Sequence, residues 1–356
     1  VSIEAENTLI IFDEVQEVPK ALTSLKYFYE NAPQYAIVAA GSLLGVALHQ
    51  GTSFPVGKVD FLDLYPLNFR EFLCAMGEKQ FVSMLDSCDT QMVTVFKTKY
   101  IERLREYYFV GGMPEVVKDF SEKKDYNRVR AIQKNLINYY QQDFSKHAEI
   151  KLVPRLNLVW NSIPMQLAKE NKKYIYGQVR EGSRAKDFEL AIQWLLDCGL
   201  IHKVQRIQKP DLPLKAYIDF DAFKLFLVDI GLLIAMTDLD AKVIIEGNKI
   251  FTEFKGSLTE QYILQQLISD VGVIPYYYST QNSKGEIDFL VQGKTSVIPI
   301  EVKAEENLKA KSLKAFCEKY QPSYAVRTSM SDYREQDWMT NIPLYAIKWI
   351  ENYVNQ

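Results

Sequence analysis

Two stretches of the 356-residue chain place acidic side chains in patterns that can do chemistry. In TLIIFDE, Thr8 to Glu14, an apolar run ends in Asp13 and Glu14. At a strand end the first carboxylate holds Mg2+, usually through water, and the second polarises the water that attacks a phosphate. A second apolar run, YAIVAAGS, ends in Ser42, whose hydroxyl on a neighbouring strand tip can hold that water or sense the phosphate. The other stretch sets Glu260 in SLTEQYILQQLISD, Asp288 in GEIDFLV and Glu301-Val302-Lys303 in PIEVKA. Carboxylates in this order can converge on Mg2+ or Mn2+, with a lysine to orient the hydrolytic water and stabilise charge on the phosphorane. Strand alternation puts Glu301 and Lys303 on one face. The plainer alternatives are an exposed Glu301–Lys303 pair on an edge strand and an Asp288 that caps a turn.

The elements that must position these groups follow from hydrophobic periodicity. Between the first two runs, ALTSLKYFYEN reads as an amphipathic helix, which makes strand, helix, strand a βαβ unit of a parallel sheet. Sites in such sheets lie at the carboxyl ends of the strands, where Asp13, Glu14 and Ser42 fall. A third short run, VDFLDLYPLNFREFL, follows, and from about residue 76 to 150 the pattern turns helical, broken by the tight-turn signal FVGGMPEV. Residues 151–235 read as a winged helix, with helices VPRLNLVWNSIPMQLA and RAKDFELAIQWLLDCG and wing strands LIHKVQRI and LPLKAYID. The last segment reads helix, three strands, helix, strand.

LIIFDEVQ, AAGSLLG, Gly57-Lys58, LYPLNFREFL and YFVGGMPEV, in that order, resemble a family of bacterial and archaeal AAA-type ATPases that carry a C-terminal domain of unknown function. The resemblance runs over nearly the whole chain. It implies that Asp13 binds the Mg2+ of ATP, that Glu14 is the catalytic base of a Walker B strand and that Ser42 is the sensor. Relatives often carry Arg after the glycine where this chain has Lys58, and Arg70 is a weak substitute for an arginine finger. The resemblance also implies a PD-(D/E)xK nuclease-like C-terminal domain, with Glu260, Asp288, Glu301 and Lys303 as its site and Asp288 and Glu301 as its metal ligands. One element is absent. No GxxxxGK[ST] occurs, since Gly51 to Gly57-Lys58 has one residue too many between the glycines and ends in Val59. Because the chain opens on Val1 and enters a strand pattern within ten residues, it reads as a fragment or processed chain whose P-loop lies upstream, and these 356 residues should be ATPase-incompetent.

Composition narrows the classes. With 47% hydrophobic, 24% charged and 13% aromatic residues, the chain is that of a globular protein and not a collagen-like or disordered one. Four scattered cysteines without CxxC and three scattered histidines point to neither a disulfide framework nor a zinc cluster. A cytoplasmic location fits this cysteine usage, and the longest apolar stretch, Leu225 to Met236, is short for a bilayer span and contains Asp229. The net charge of −3 hides an asymmetry: residues 121–209 hold 17 Lys/Arg against 9 Asp/Glu. Arg180, Arg184 and Lys186 near the recognition helix, with Lys203 and Arg206 in the wing, are the candidate phosphate contacts to duplex DNA. The alternative is a solvated basic surface.

The expected fold is therefore α/β and multidomain. A truncated AAA-like P-loop core occupies residues 1–75, a helical lid 76–150, a winged helix 151–235 and a restriction-endonuclease-like α/β domain 236–356. The expected activity is ATP hydrolysis with Mg2+ in the intact protein, with a homo-oligomer in prospect because AAA-type sites borrow an arginine from a neighbour. The competing classes are a DNA-binding or protein-interaction module with a silent nuclease-like fold, and a Mg2+-dependent nuclease.

Overall fold

The computed structural model describes residues 3–42, 45, 57–169, 172–246, 252–280, 285–305 and 310–356. Leu43, Leu44 and residues 46–56, which hold part of the AAGSLLG landmark and the Gly51 end of the glycine spacing, lie outside them. The chain divides into two compact units, Val1–Leu64 with Ala185–Ile201, and Tyr65–Arg184 with His202–Gln356.

In the smaller unit the apolar runs become β1 (Leu9–Phe12) and β2 (Ala36–Ala39), joined by α1 (Pro19–Asn31). Pro19 sits in the first turn of α1, where its missing N–H costs nothing. The strands pair in parallel, Leu9 opposite Ala36 and Phe12 opposite Ala39, as a βαβ unit requires. The sequence predicts a buried strand here, and the structure differs. Leu9, Ile11 and Val38 are 54%, 62% and 48% exposed. A two-stranded sheet has apolar side chains on both faces, and among the described residues one of those faces carries no covering layer. The unit also contains α10 (Ala185–Asp197), whose Phe188, Ala191, Ile192 and Leu195 recur at helical spacing and are buried.

The larger unit opens where the sequence predicts a third apolar run. Residues 59–68, which straddle the two units, form neither helix nor strand, and α2 (Phe69–Ala75) starts behind a capping box in which Asn68 and Glu71 satisfy each other's backbone N–H groups. Helices α3 (Lys79–Asp86), α4 (Thr90–Val95), α5 (Lys97–Val110), α6 (Pro114–Lys123), α7 (Tyr126–His147), α8 (Val153–Leu167) and the short α9 (Tyr176–Val179) follow.

The rest of the unit is a mixed sheet with its flanking helices. Strands β3 (Ile201–Ile207), β4 (Ile218–Leu227), β5 (Tyr276–Ser279), β6 (Glu286–Gln292), β7 (Val297–Val302), β8 (Val326–Ser329), β9 (Arg334–Gln336) and β10 (Met339–Pro343) lie in the order β4-β3-β5-β6-β7-β8-β10-β9. Strands β5, β6 and β7 form an antiparallel meander, and β8 returns parallel to β7, Glu301 opposite Arg327, after helix α14 (Lys311–Tyr320). Parallel neighbours need such a crossover. The two strands read as a wing join this sheet, with Arg206 of β3 opposite Tyr277 of β5. The sheet is thus continuous across residue 235, and the predicted winged helix divides, α8 with β3 and β4 in this unit and α10 in the other. The second wing strand also begins later than LPLKAYID predicts, because Leu214–Tyr217 turns as a short 3-10 helix before β4. Helix α11 (Ile230–Met236) and α12 (Ala241–Ile245) precede α13 (Thr252–Gln266), which closes in a π-helical turn, and α15 (Glu351–Val354) ends the chain.

The helices that precede the sheet are bound to the segments that flank it. Trp349 Nε1 donates to Leu85 O at 2.7 Å, Tyr100 stacks on Tyr345 at 4.9 Å, and Arg70 bonds Asp270 at 2.7 Å. Residues 76–150, read as a helical lid, cluster with the C-terminal sheet. Among the described residues no helix is long and apolar enough to cross a membrane.

The landmarks LYPLNFREFL and YFVGGMPEV meet in a buried knot. Leu67 N donates to Gly112 O at 2.8 Å, Tyr107 Oη donates to Leu67 O at 2.6 Å, and Gln265 Nε2 donates to Tyr107 Oη at 2.9 Å. Gly112 N donates to Asp229 Oδ2 at 2.6 Å, while Asp229 Oδ1 caps α11 by accepting from Leu232 N at 3.0 Å. Gly111 has φ +73, and a Cβ on Gly112 would stand 2.1 Å from Leu67 O. The glycine pair is a packing device here.

Candidate functional site

The N-terminal candidates stand at the carboxyl ends of the parallel pair. Asp13 and Glu14 follow β1 and Ser42 follows β2, and the ladder continues beyond the strands through Ala40 N to Phe12 O and Val15 N to Ala40 O, at 2.8 and 2.9 Å. The Ser42 hydroxyl lies 3.5 Å from Glu14 Oε2, an oxygen that also accepts from Gln16 Nε2. Asp13 Oδ1 accepts from Glu14 N at 3.0 Å. Glu14 adopts φ 47, ψ 46, a left-handed conformation that costs a non-glycine residue about 1 kcal/mol and recurs at functional sites. All three side chains are exposed.

This arrangement fits one half of a Mg2+-nucleotide site. Two carboxylates and a hydroxyl in reach of one of them stand at the carboxyl end of one strand pair. A phosphate cradle of backbone N–H groups is the other half, and the chain has no GxxxxGK[ST] to form it. Neither basic candidate lies open as an arginine finger. Lys58 Nζ is 3.7 Å from Glu30 and lies over the Tyr29 ring, while Arg70 is held between Asp86 and Asp270 at 2.5 and 2.7 Å.

In the larger unit the sheet and α13 bring Glu260, Asp288, Glu301 and Lys303 to neighbouring elements, and lysines and backbone groups already occupy the carboxylates. Glu301, 4% exposed, takes Lys303 Nζ at 2.6 Å on one oxygen and Leu313 N at 3.0 Å on the other. Asp288 Oδ2 accepts from Val302 N at 2.7 Å. Glu260, 5% exposed, is paired with Lys172 from the turn after α8. Lys224, wholly buried on β4, reaches Glu286 at 2.5 Å and Glu260 at 3.7 Å.

Electrostatics follow from this crowding. Burial pushes the Asp288 carboxyl up to about 8, with the charges of Glu260 and Glu301 adding to the rise and Lys224 and Lys172 opposing it. Burial would also raise Glu260, but Lys172 and Lys224 outweigh it and hold that carboxylate below its ordinary value. For Lys224, burial pulls the ammonium down and Glu260, Glu286 and Asp288 more than reverse it, so the lysine stays charged.

A divalent metal does not fit this cluster as it stands. Among the described residues no three His, Cys, Asp or Glu side chains are grouped to hold a metal ion, and both oxygens of Glu301 and one of Asp288 are already taken by backbone N–H groups and Lys303. The assignment of Asp288 and Glu301 as metal ligands therefore has no support in this geometry. Lys172, Lys224 and Glu286 escaped the sequence reading. Lys224 carried a signal, as the lone charge in AFKLFLV, whereas Lys172 sits in a polar stretch that marks nothing.

The DNA candidates separate. Lys186 lies on α10 of the smaller unit and the other four belong to the larger one. Arg206 is bound to Asp219 and Lys203 lies over the Phe223 ring at 4.4 Å, while Arg180 and Arg184 are exposed.

Comparison with known proteins adds three matches. Residues 1–73 match the family model described as an AAA domain, residues 101–243 a domain of unknown function (DUF8612), and residues 255–347 a second domain of unknown function (DUF4143). No curated protein and no solved structure matches the chain. The matched segments together support an AAA-like ATPase relationship with a C-terminal domain of unknown function.

Proposed function

We propose that this chain is part of an AAA-type ATPase whose larger unit is a nuclease-like fold serving as a binding module and not as a metal-dependent nuclease. The convergence of Asp13, Glu14 and Ser42 at adjacent carboxyl ends of parallel strands carries the ATPase reading. Bound Mg-ATP would supply the electrophilic phosphorus and the charge of the metal. Asp13 would hold the Mg2+ through its carboxylate. Glu14 would polarise the attacking water, and Ser42, within 3.5 Å of Glu14, would fix the direction of that carboxylate.

In a longer form supplied with a GxxxxGK[ST] segment, Glu14→Gln should cut ATP turnover by about 10²-fold or more while leaving nucleotide binding intact, because it removes the water-polarising charge and keeps the shape. Turnover that survives the substitution would refute the role of Glu14.

The second part of the reading rests on the lysines paired with the acidic cluster. Nicking of supercoiled plasmid in Mg2+ or Mn2+ by the chain, abolished in Glu301→Gln, would overturn it.

A further inference from the structure

Helices α7 and α8 carry a groove that neither the ATPase site nor the acidic cluster uses. Asn138, Gln141, Gln142, Ser145 and Lys146 of α7, with Asn157 of α8, line a cavity of about 660 Å³. The five α7 residues recur at i, i+3, i+4, i+7 and i+8, so they share one face of the helix. Gln141 Nε2 donates to Asn157 Oδ1 at 3.4 Å, and Asn157 Nδ2 donates to Val153 O at 3.2 Å. Asn138, Gln142 and Ser145 are exposed. Four of the six lining groups are carboxamides, and none is acidic, aromatic or aliphatic. Helix stability does not select such a face. On an exposed helical surface Ala, Glu, Lys and Arg have better propensities than Asn and Ser, and oppositely charged pairs one turn apart add support. Asn138 and Ser145 sit far from the N-cap of α7, Asp125, where side chains of their kind stabilise a helix.

We propose that this groove binds an extended peptide segment of a partner protein through its main chain. A carboxamide offers a donor and an acceptor in one plane, and pairs with the N–H and C=O that an extended residue presents on one side. From Asn138 to Ser145 the face rises about 10 Å, room for about three extended residues. The lining disfavours other ligand classes. A nucleic-acid strand brings one phosphate charge per nucleotide and bases that stack on aromatic rings, whereas the lining has no ring and a single ammonium, Lys146, which is already engaged within the chain. A hard cation would need carboxylates, and an apolar ligand would need an apolar wall. The surface is separate from the acidic cluster around Glu260 and gives the larger unit, as a binding module, a class of partner.

The test overlays the whole chain on an array of short random-sequence peptides and measures fluorescence anisotropy with a labelled copy of the strongest binder. Asn138→Ala/Gln142→Ala should weaken that peptide about tenfold or more, as the loss of two hydrogen-bonding groups implies. A copy of the peptide with N-methyl groups at alternate main-chain nitrogens keeps its side chains, loses main-chain donors and should weaken to a similar degree. Alanine is the better helix former, so the double variant should unfold at no lower urea concentration than wild type. An array on which no peptide binds tighter than about 1 mM would overturn the proposal, as would peptide binding that ignores the double substitution. A double variant that loses stability in step with binding would assign the carboxamides to the fold and overturn it too. Single-stranded oligothymidine that binds wild type more tightly than the peptide, and binds the double variant less, would replace the peptide with a nucleic acid.

Discussion

Asp229 offers the sharpest test of how the larger unit holds together. The residue is wholly buried and accepts from Gly112 N at 2.6 Å, Leu232 N at 3.0 Å and Gln265 Nε2 at 3.4 Å. Asp229→Ala strips two buried backbone donors of their acceptor. Each orphaned donor costs about 1–3 kcal/mol, one of them doubling as the lost N-cap of α11, and the vanished burial penalty of the carboxyl offsets part of this. The expected net loss is about 2–5 kcal/mol. Asp229→Asn keeps one carbonyl oxygen and should lose only about 1–2 kcal/mol. Urea unfolding followed by tryptophan fluorescence reports the effect, since Trp160 and Trp349 are buried in this unit. Burial holds the Asp229 carboxyl above the ordinary aspartate value against the donors that stabilise its charge. Wild type should therefore lose stability relative to Asp229→Asn as pH rises through the folded value. A loss below about 1 kcal/mol in Asp229→Ala, or an Asn variant as damaged as the Ala one, would refute the knot.

Two further predictions follow from buried charge. Lys224→Met leaves Glu260 and Glu286 without their shared ammonium and should cost about 3–5 kcal/mol in chemical unfolding, much of it recovered by adding Glu286→Gln; additive effects of the two changes would show that the pair is not coupled. His202, 6.4 Å from the Tyr65 ring, is pushed down to about 4 by burial, so it folds neutral. A histidine with a depressed value loses stability as pH falls from about 6.5 towards 4, by at most about 3 kcal/mol, and a His202→Gln variant whose acid unfolding tracks wild type over that window would exclude it.

Much of the local structure was legible in the residues. The period-2 and period-3.6 patterns located β1, β2, β3, β5, β6, β7 and β8 and the longer helices, because those periods report backbone geometry directly. The short β9 and β10 passed unnoticed, since three to five residues hold too little pattern to read. The continuity of the sheet across residue 235, where the sequence pattern suggests a domain boundary, was invisible for a different reason. LFLVDIGLLIAM reads as one apolar run, and only the fold divides it into the end of β4, the cap Asp229 and helix α11.

By itself the sequence determined which residue types stand at strand ends and on helix faces: Asp13, Glu14 and Ser42 at the carboxyl ends of a βαβ pair, and Glu260, Asp288, Glu301 and Lys303 in order along a helix and two strands. Tertiary structure alone decided what those groups touch. Hydrogen bonds and ion pairs act over a few ångströms in space and ignore separation along the chain, so Lys172 meets Glu260 across 88 residues and Gly112 meets Asp229 across 117. A carboxylate free to take a cation and one already neutralised by lysine look alike in one dimension, and burial beside Lys172 and Lys224 is what separates them.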